Sequence, residues 1–458
     1  MVFDRNIMSF QTPQDLANST NGTSSLNRSG NAYNNANVNA QGPRVTTPNT
    51  SQGLLQVQAL SRAGNRPIEN ARIRISYTGN PTSIIEELRT NREGNTEVLT
   101  LDTPPLEYSL EPQQNQPYAE YTIQVQAEGY EPVTVSSSEL LPTIKSLQTV
   151  LLRPLSPEEA YQDIVIAAHT LYAEYPPKIP EAEIKPMDES GEIVLSKVVV
   201  PEYVVVHDGS PRDSTAQNYW IRYKDYIKNV ASSEIYATWP DNTIRANVLA
   251  IMSFTLNRVY TEWYRNQGFN FTITSSTAFD HKFIPGRNIF EPIERIVDEV
   301  FSNYLSRPNV RQPILTQYCD GKRVTCPNWM SQWGSKYLGD QNYSTIEILR
   351  YYYGDDMYIN TAEEVSGVPI SWPGEPLDIG SSGNAVRQIQ EQLNVISEVY
   401  SAIPELDLVD GIYGERTQEA VRTFQSVFGL PQTGIVDYRT WYKIQEIYVG
   451  ITRIAELN

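Results

Sequence analysis

Residues 223–239 read Y-K-D-Y-I-K-N-V-A-S-S-E-I-Y-A-T-W. Ile227, Val230, Ala231 and Ile235 recur at the three- and four-residue spacing that gathers apolar side chains on one face of a helix. Trp239-Pro240 interrupts that helix. Pro240 suits the first turn of a second one, where the N–H it lacks would have had no partner. The second helix carries Ile244, Val248, Met252, Thr255 and Val259 on one face. Glu234 therefore falls near the end of a buried helix, just before a sharp break, beside Ile235, Tyr236 and Trp239. A carboxyl held against apolar and aromatic groups resists ionisation and keeps its proton toward neutral pH, as a general acid must. We take Glu234 as the candidate catalytic residue. The alternative is one more solvated charge among 54 acidic residues.

Around this pair the segment 166–362 mixes strands and helices without strict alternation, which argues for an α+β domain. I-V-L-S-K-V-V-V-P (193–201) and Y-V-V-V-H (203–207) read as extended. A third helix is expected from Glu291 to Leu305, with Ile293, Ile296, Val297, Val300, Phe301 and Tyr304 facing a core. A last one follows Tyr343-Ser344.

Upstream, residues 53–153 alternate apolar and polar in L-L-Q-V-Q-A-L, A-R-I-R-I-S-Y, T-E-V-L-T-L, Y-T-I-Q-V-Q-A and Q-T-V-L-L-R-P. Gly64-Asn65, Gly79-Asn80-Pro81, Gly94-Asn95 and Gly129-Tyr130 separate these runs, so an all-β sandwich is expected. Its N-R-P-I-E-N-A-R-I-R-I and A-E-G-Y-E-P-V segments resemble the carboxypeptidase-regulatory-like or transthyretin-like sandwich. Residues 1–52, rich in Asn, Ser, Thr and Gly, bury too little apolar area to offset ordering and are expected to be disordered. Residues 154–165 read as a linker or as a proteolytic activation region, since exposed flexible segments are where proteases cut. Residues 363–376 form a second linker, and 377–450 a small three-helix module.

Composition bounds the function. The chain has 458 residues, 40 % of them hydrophobic, and a net charge of −18. Such acidity argues against nucleic-acid binding. No apolar run is long enough for a membrane span, and the first residues, M-V-F-D-R-N-I-M-S-F, read as lacking an ordinary secretory signal.

Two segments resemble known families. Gly380, Gly383, Val386, Gln390, Leu393, Asp410-Gly411, Tyr413-Gly414, Thr417, Ala420-Val421, Phe424-Gln425, Gly429-Leu430, Thr433-Gly434 and Asp437 resemble the peptidoglycan-binding-domain-1 family. That resemblance implies wall binding. Y-I-K-N-V-A-S-S-E-I at 226–235, the W-P and helix after it, and S-Q-W-G-S-K-Y-L-G-D-Q-N-Y-S-T-I-E-I-L-R-Y-Y-Y at 331–353 resemble the stage II sporulation protein D family. It implies a peptidoglycan lytic transglycosylase whose catalytic acid/base falls on Glu234, with Ile235-Tyr236 where the family has Met-Pro. The order of modules resembles the clostridial spore cortex-lytic enzymes. This implies an inactive precursor in the spore (cortex or coat region), cortex peptidoglycan as substrate, and cleavage by a subtilisin-like Csp protease at germination. Amidase activity is sometimes attributed to that family as well.

Lytic cleavage needs one carboxyl, whereas hydrolysis needs a second. Asp280, in T-A-F-D-H-K-F, is the candidate for that second group or for shaping the cleft. Tyr236, Trp239 and Trp333 are candidates for an aromatic wall under sugar rings, or else core residues. A metal amidase would need about three ligands. None of His169, His207 and His281 sits in a paired-ligand motif. Cys319 and Cys326 are spaced more loosely than structural zinc sites, leaving a disulfide or free thiols ahead of zinc, so no cofactor is expected. A non-catalytic wall or coat scaffold is the third alternative.

Overall fold

The computed structural model describes residues 51–62, 65–155, 161–185, 195, 197–366 and 373–456. The segment read as disordered lies, up to residue 50, outside the described residues, as does 156–160 in the middle of the candidate activation region.

Alternation in the N-terminal region becomes two facing sheets. The strands are β1 (Ser51–Ser61), β2 (Arg72–Tyr77), β3 (Ile84–Arg89), β4 (Leu99–Thr103), β5 (Ala119–Gln126), β6 (Val133–Leu140) and β7 (Lys145–Leu152), with a single helical turn, α1 (Glu107–Leu110), before β5. In β1 every second residue is buried, as a strand with one face on a core requires. Leu55, Val57, Ile73, Ile75, Ile123, Val125, Val135 and Val150 meet between the sheets with almost no exposure.

Each sheet is completed by a strand from outside 53–153. Gln162–Val165 is not linker but β8, lying parallel to β6. The two-residue strand β13 (Ile289–Phe290), far along the chain, pairs antiparallel with β7. Sequence alternation could not show this, because a two-residue strand carries no period.

The central region holds β9 (Val199–Val200), β10 (Tyr203–His207), β11 (Asn218–Arg222) and β12 (Ile273–Thr274), with β10 between β11 and β12 in a three-stranded sheet. Helix α2 (Tyr223–Glu234) follows β11 directly, and α3 (Asp241–Tyr260) begins immediately after Pro240. Helix α3 is buried on nearly every side, so its apolar residues exceed a single stripe. The expected helix to Leu305 is shorter. Helix α4 spans Glu291–Val300, and Asn303–Ser306 is strand β14, paired with β17 (Tyr358–Thr361). Phe301, Tyr304 and Leu305 are buried, as a helical pattern would also have them, but two consecutive buried residues fit a strand equally well. Short strands β15 (Tyr318–Cys319) and β16 (Met330–Ser331) lead into α5 (Gln332–Asp340), a helix the sequence reading missed. Helix α6 (Thr345–Tyr353) opens with a capping box in which Ser344 and Glu347 satisfy each other's backbone N–H. Strand β18 (Glu364–Val365) pairs with β9, so the second linker begins inside the fold.

The C-terminal module is three helices: α7 (Asn384–Ser397), α8 (Glu415–Val427) and α9 (Tyr438–Glu456). Its loop at Gly411 needs a φ of 76°, which glycine adopts without strain. The module is anchored rather than tethered. Tyr442 packs against Phe301, and the Tyr438 hydroxyl lies 2.6 Å from that of Ser302. Lys224 of α2 is 2.7 Å from Glu446 of α9 and 3.3 Å from Asp298 of α4, all largely buried.

Candidate functional site

Glu234 is the last residue of α2, and Ile235 after it is extended, so the carboxyl projects where the helix stops. It is 3 % exposed yet forms part of the wall of a cleft of about 330 Å³. Its Oε1 accepts the Lys282 backbone N–H at 2.6 Å, and its Oε2 accepts the Tyr318 hydroxyl. Gln332 donates to its backbone carbonyl at 3.0 Å. Burial pushes the carboxyl above the ordinary glutamate value, against the opposing pull of the Lys178 ammonium and the two hydrogen bonds. Burial likewise pushes the Tyr318 phenol well up, so it stays a donor.

Opposite α2 the cleft is closed by two chain segments. One is the loop 318–326, shaped by a Cys319–Cys326 disulfide. Inside it, Asp320 accepts the backbone N–H groups of Lys322, Arg323 and Val324 at 3.0–3.2 Å and the Arg323 Nε at 2.9 Å. The other is a strap, 166–185, leaving β8. Thr170 N donates to the Ser233 carbonyl at 3.0 Å, next to Glu234, and Arg323 donates to the carbonyls of Thr170, Tyr172 and Ala173. Tyr175 and Lys178 of the strap line the cleft.

The remaining candidates fall elsewhere. Asp280 does not line the cleft. It is fully buried, its Oδ1 2.7 Å from Arg258 Nε and its Oδ2 2.6 Å from the Tyr264 hydroxyl, so both oxygens are used in holding the domain together. Tyr236, Trp239 and Trp333 are 2 %, 3 % and 6 % exposed and pack on one another with ring centroids 5.0–6.0 Å apart. They form a core cluster rather than a sugar platform. Trp239 Nε1 donates to the Ser109 carbonyl of the sandwich, and His169 of the strap stacks on Tyr236. The two cysteines are bonded to each other and offer no thiolate to a metal, and among the described residues no three His, Cys, Asp or Glu converge as a metal site. His169 and His281 are fully buried, which pushes both well below the ordinary histidine value, and His207 bonds Asn218 and the Ser210 carbonyl.

Lys178, Lys282 and Tyr318 were missed by sequence reasoning. They lie on three separate stretches of chain, the strap, the segment after β12 and strand β15, and only the fold brings them to one carboxyl. Tyr318 had one hint, its place beside Cys319.

Residues 382–444 match the peptidoglycan binding domain family PG_binding_1. The chain is 38 % identical over 77 residues to the zinc D-Ala-D-Ala carboxypeptidase of Streptomyces albus G; the match covers 17 % of this chain and 28 % of that enzyme. Among solved structures, the minor pilin GBS52 of Streptococcus agalactiae is 10 % identical, with a TM-score of 0.17, over 24 % of this chain and 48 % of the pilin. The 5-hydroxyisourate hydrolase of Klebsiella pneumoniae is 12 % identical, with a TM-score of 0.15, over 23 % of this chain and 89 % of the hydrolase. Of the whole chain, then, one part is placed in a family: its C-terminal module is a peptidoglycan-binding domain.

Proposed function

We propose that the chain is a peptidoglycan lytic transglycosylase of the clostridial cortex-lytic type represented by SleC, acting on spore cortex during germination. The observation that carries this reading is Glu234, a buried carboxyl raised in proton affinity at the wall of a cleft, in a chain that ends in a peptidoglycan-binding domain. Protonated Glu234 gives its proton to the oxygen of the β-1,4 bond between muramic acid and glucosamine. The C1–O bond breaks, and the muramic C1 gains oxocarbenium character. The carboxylate then takes the proton of the sugar's own C6 hydroxyl, whose oxygen closes on C1 as a 1,6-anhydro ring. One group serves as acid and then as base, and the Tyr318 hydroxyl and Lys282 N–H stabilise its anionic interval.

The N-terminal sandwich is read as a removable inhibitory region, cut within 154–165 by a subtilisin-like Csp protease. Its contacts with the catalytic half support this. Glu139 and Arg287 form a buried ion pair across the junction, and Arg287 also donates to the Ser232 carbonyl two residues from Glu234.

Digestion of purified cortex followed by mass spectrometry of the fragments tests the proposal. Anhydro-muramic ends are expected, and Glu234→Gln should abolish them while wall binding persists. Full activity of that variant would reject the assignment. Two other readings rest on the C-terminal domain alone. Free lactyl ends would mean an N-acetylmuramoyl-L-alanine amidase, and an unchanged wall a non-catalytic coat or wall-binding protein.

A further inference from the structure

The strap brings a cation to Glu234 that the proposed reaction does not otherwise use. Lys178 lines the same cleft as Glu234. Its ammonium lies 5.0 Å from the Tyr318 ring centroid and 4.9 Å from that of Phe254, and it donates to the Asp280 carbonyl. Tyr318 in turn donates to Glu234 Oε2, and Lys282, two residues beyond Asp280, donates to Oε1. Lys178 thus lies over the ring of Tyr318, one of the carboxyl's two hydrogen-bond donors, in the cleft that Glu234 lines.

We propose that Lys178 is a positioning residue of the reaction centre, the cation that stabilises the carboxylate of Glu234 after proton donation, and that the strap carrying it belongs to the working enzyme. This rests on the transglycosylase reading of Glu234.

The neighbouring charges leave that role to Lys178. Arg258 is paired with Asp280 and Glu181, and Glu181 also with Lys185. Asp320 is paired with Arg323. Burial leaves His281 neutral and keeps the phenols of Tyr175, Tyr226 and Tyr318 protonated. Burial moves the Lys282 ammonium below the ordinary lysine value against the charges of Asp208 and Glu234, and Glu174 of the strap lines the cleft. Among these charges Lys178 pulls hardest against Glu234's retention of its proton; burial draws the Lys178 ammonium below the ordinary lysine value, and Glu234 is the largest charge opposing that.

The start of the strap touches the sandwich, where Ile166 N donates to the Ser136 carbonyl, His169 N donates to the Tyr118 hydroxyl and Tyr172 packs on Tyr118, but the stretch that carries Lys178 is held by the other half. Arg323 binds three of its carbonyls, Thr170 binds the Ser233 carbonyl, and Ile179 N donates to the Ala278 carbonyl at 2.7 Å. Release of the sandwich removes the Ser136 and Tyr118 contacts but leaves these bonds, which keep Lys178 beside Glu234.

The test is the pH profile of anhydro-product formation by the full chain after cleavage within 154–165, carrying Lys178→Met or Lys178→Arg. The reaction needs protonated Glu234, so its rate falls as pH rises through that group's pKa. Loss of the cation raises the pKa, and the falling limb of Lys178→Met should move up by about one pH unit while Lys178→Arg restores the parental profile. If Lys178 only pins the strap, its loss lets water reach Glu234 and the limb moves down or stays. Either result overturns the proposal, as does failure of the arginine variant to restore the profile. A carbon-13 titration of the Glu234 carboxyl in the parent and in Lys178→Met reads the same shift without turnover. If no anhydro product forms at all, the transglycosylase reading fails, and this titration still decides the coupling.

Discussion

Replacing Arg287 by methionine removes the positive half of a buried pair while keeping most of its volume. Arg287 and Glu139 are 0 % and 1 % exposed and approach to 2.8 Å at both carboxyl oxygens. Removing one partner of such a pair costs about 3–5 kcal/mol, because the other charge is stranded. Here the stranded group has an escape. Burial already lifts the Glu139 carboxyl to about 7, and without the guanidinium it rises further, so at low pH it takes a proton instead. A carboxyl raised on folding contributes its stability fully below the unfolded value and loses it as pH rises through the folded one. The cost of Arg287→Met should therefore grow from about 1 kcal/mol near pH 5 to about 3 kcal/mol at pH 8. The assay nicks the folded full-length protein at an engineered protease site within 156–160 and follows whether the sandwich leaves on dilution. The parent should stay associated through the pairings of β6 with β8 and β7 with β13. At pH 8, Arg287→Met should dissociate about 100-fold more readily, the equivalent of about 3 kcal/mol. The further change Glu139→Gln should recover much of that loss. A threefold or smaller effect at pH 8, or one that shrinks with rising pH, would refute the reasoning.

Three further outcomes are expected. Tyr318→Phe deprives the Glu234 carboxylate of a charge-assisted hydrogen bond, so anhydro-product formation should fall about 10- to 100-fold and its falling pH limb should move to higher pH; an unchanged limb would count against the contact. Reducing the Cys319–Cys326 bond should loosen the loop that carries Arg323, read as faster amide exchange at residues 320–326 and in the strap; equal exchange before and after would show the loop is held by Asp320 alone. Asp298→Asn leaves Lys224 and Lys228 short of a partner and should lower thermal stability at pH 7. Because Lys224 and Lys228 hold the Asp298 carboxyl below the usual range, that deficit should fade as the pH is lowered through the folded value; a deficit independent of pH would exclude the ion network as its cause.

Local signals in the sequence were good guides wherever an element stands by itself. The spacing of Ile227, Val230 and Ala231, with Pro240 behind them, marks a helix, a break and a second helix, and α2 and α3 lie there. Alternation marks β1 and β2 because one face of each meets a core and the other water. Hidden were the elements whose stability comes from elsewhere. Strand β3 has no buried residue and so no alternation, and β13 exists because β7 offers an open edge. The site divides the same way. Burial of Glu234 could be argued from its apolar neighbours in the chain. The misplacement of Asp280, Tyr236, Trp239 and Trp333 has one cause, that sequence gives residue type but not facing direction. An aspartate beside a buried arginine and an indole under a sandwich carry the same letters as a catalytic acid and a sugar platform. Lys178 could not be found at all, since it reaches Glu234 along a strap whose path is set by Arg323 and by the Ser233 carbonyl.

The borrowed strands of the sandwich have a consequence for the fate of a released fragment. In the intact chain, β8 covers the rim of one sheet and β13 the rim of the other. A fragment cut before residue 162 and pulled free would bare both rims, β6 and β7, as rows of unanswered amide and carbonyl groups. Such rims recruit whatever strand comes next, including those of sister fragments. Detachment should therefore be effectively one-way, the discarded piece clumping or being digested before it can find its seat again.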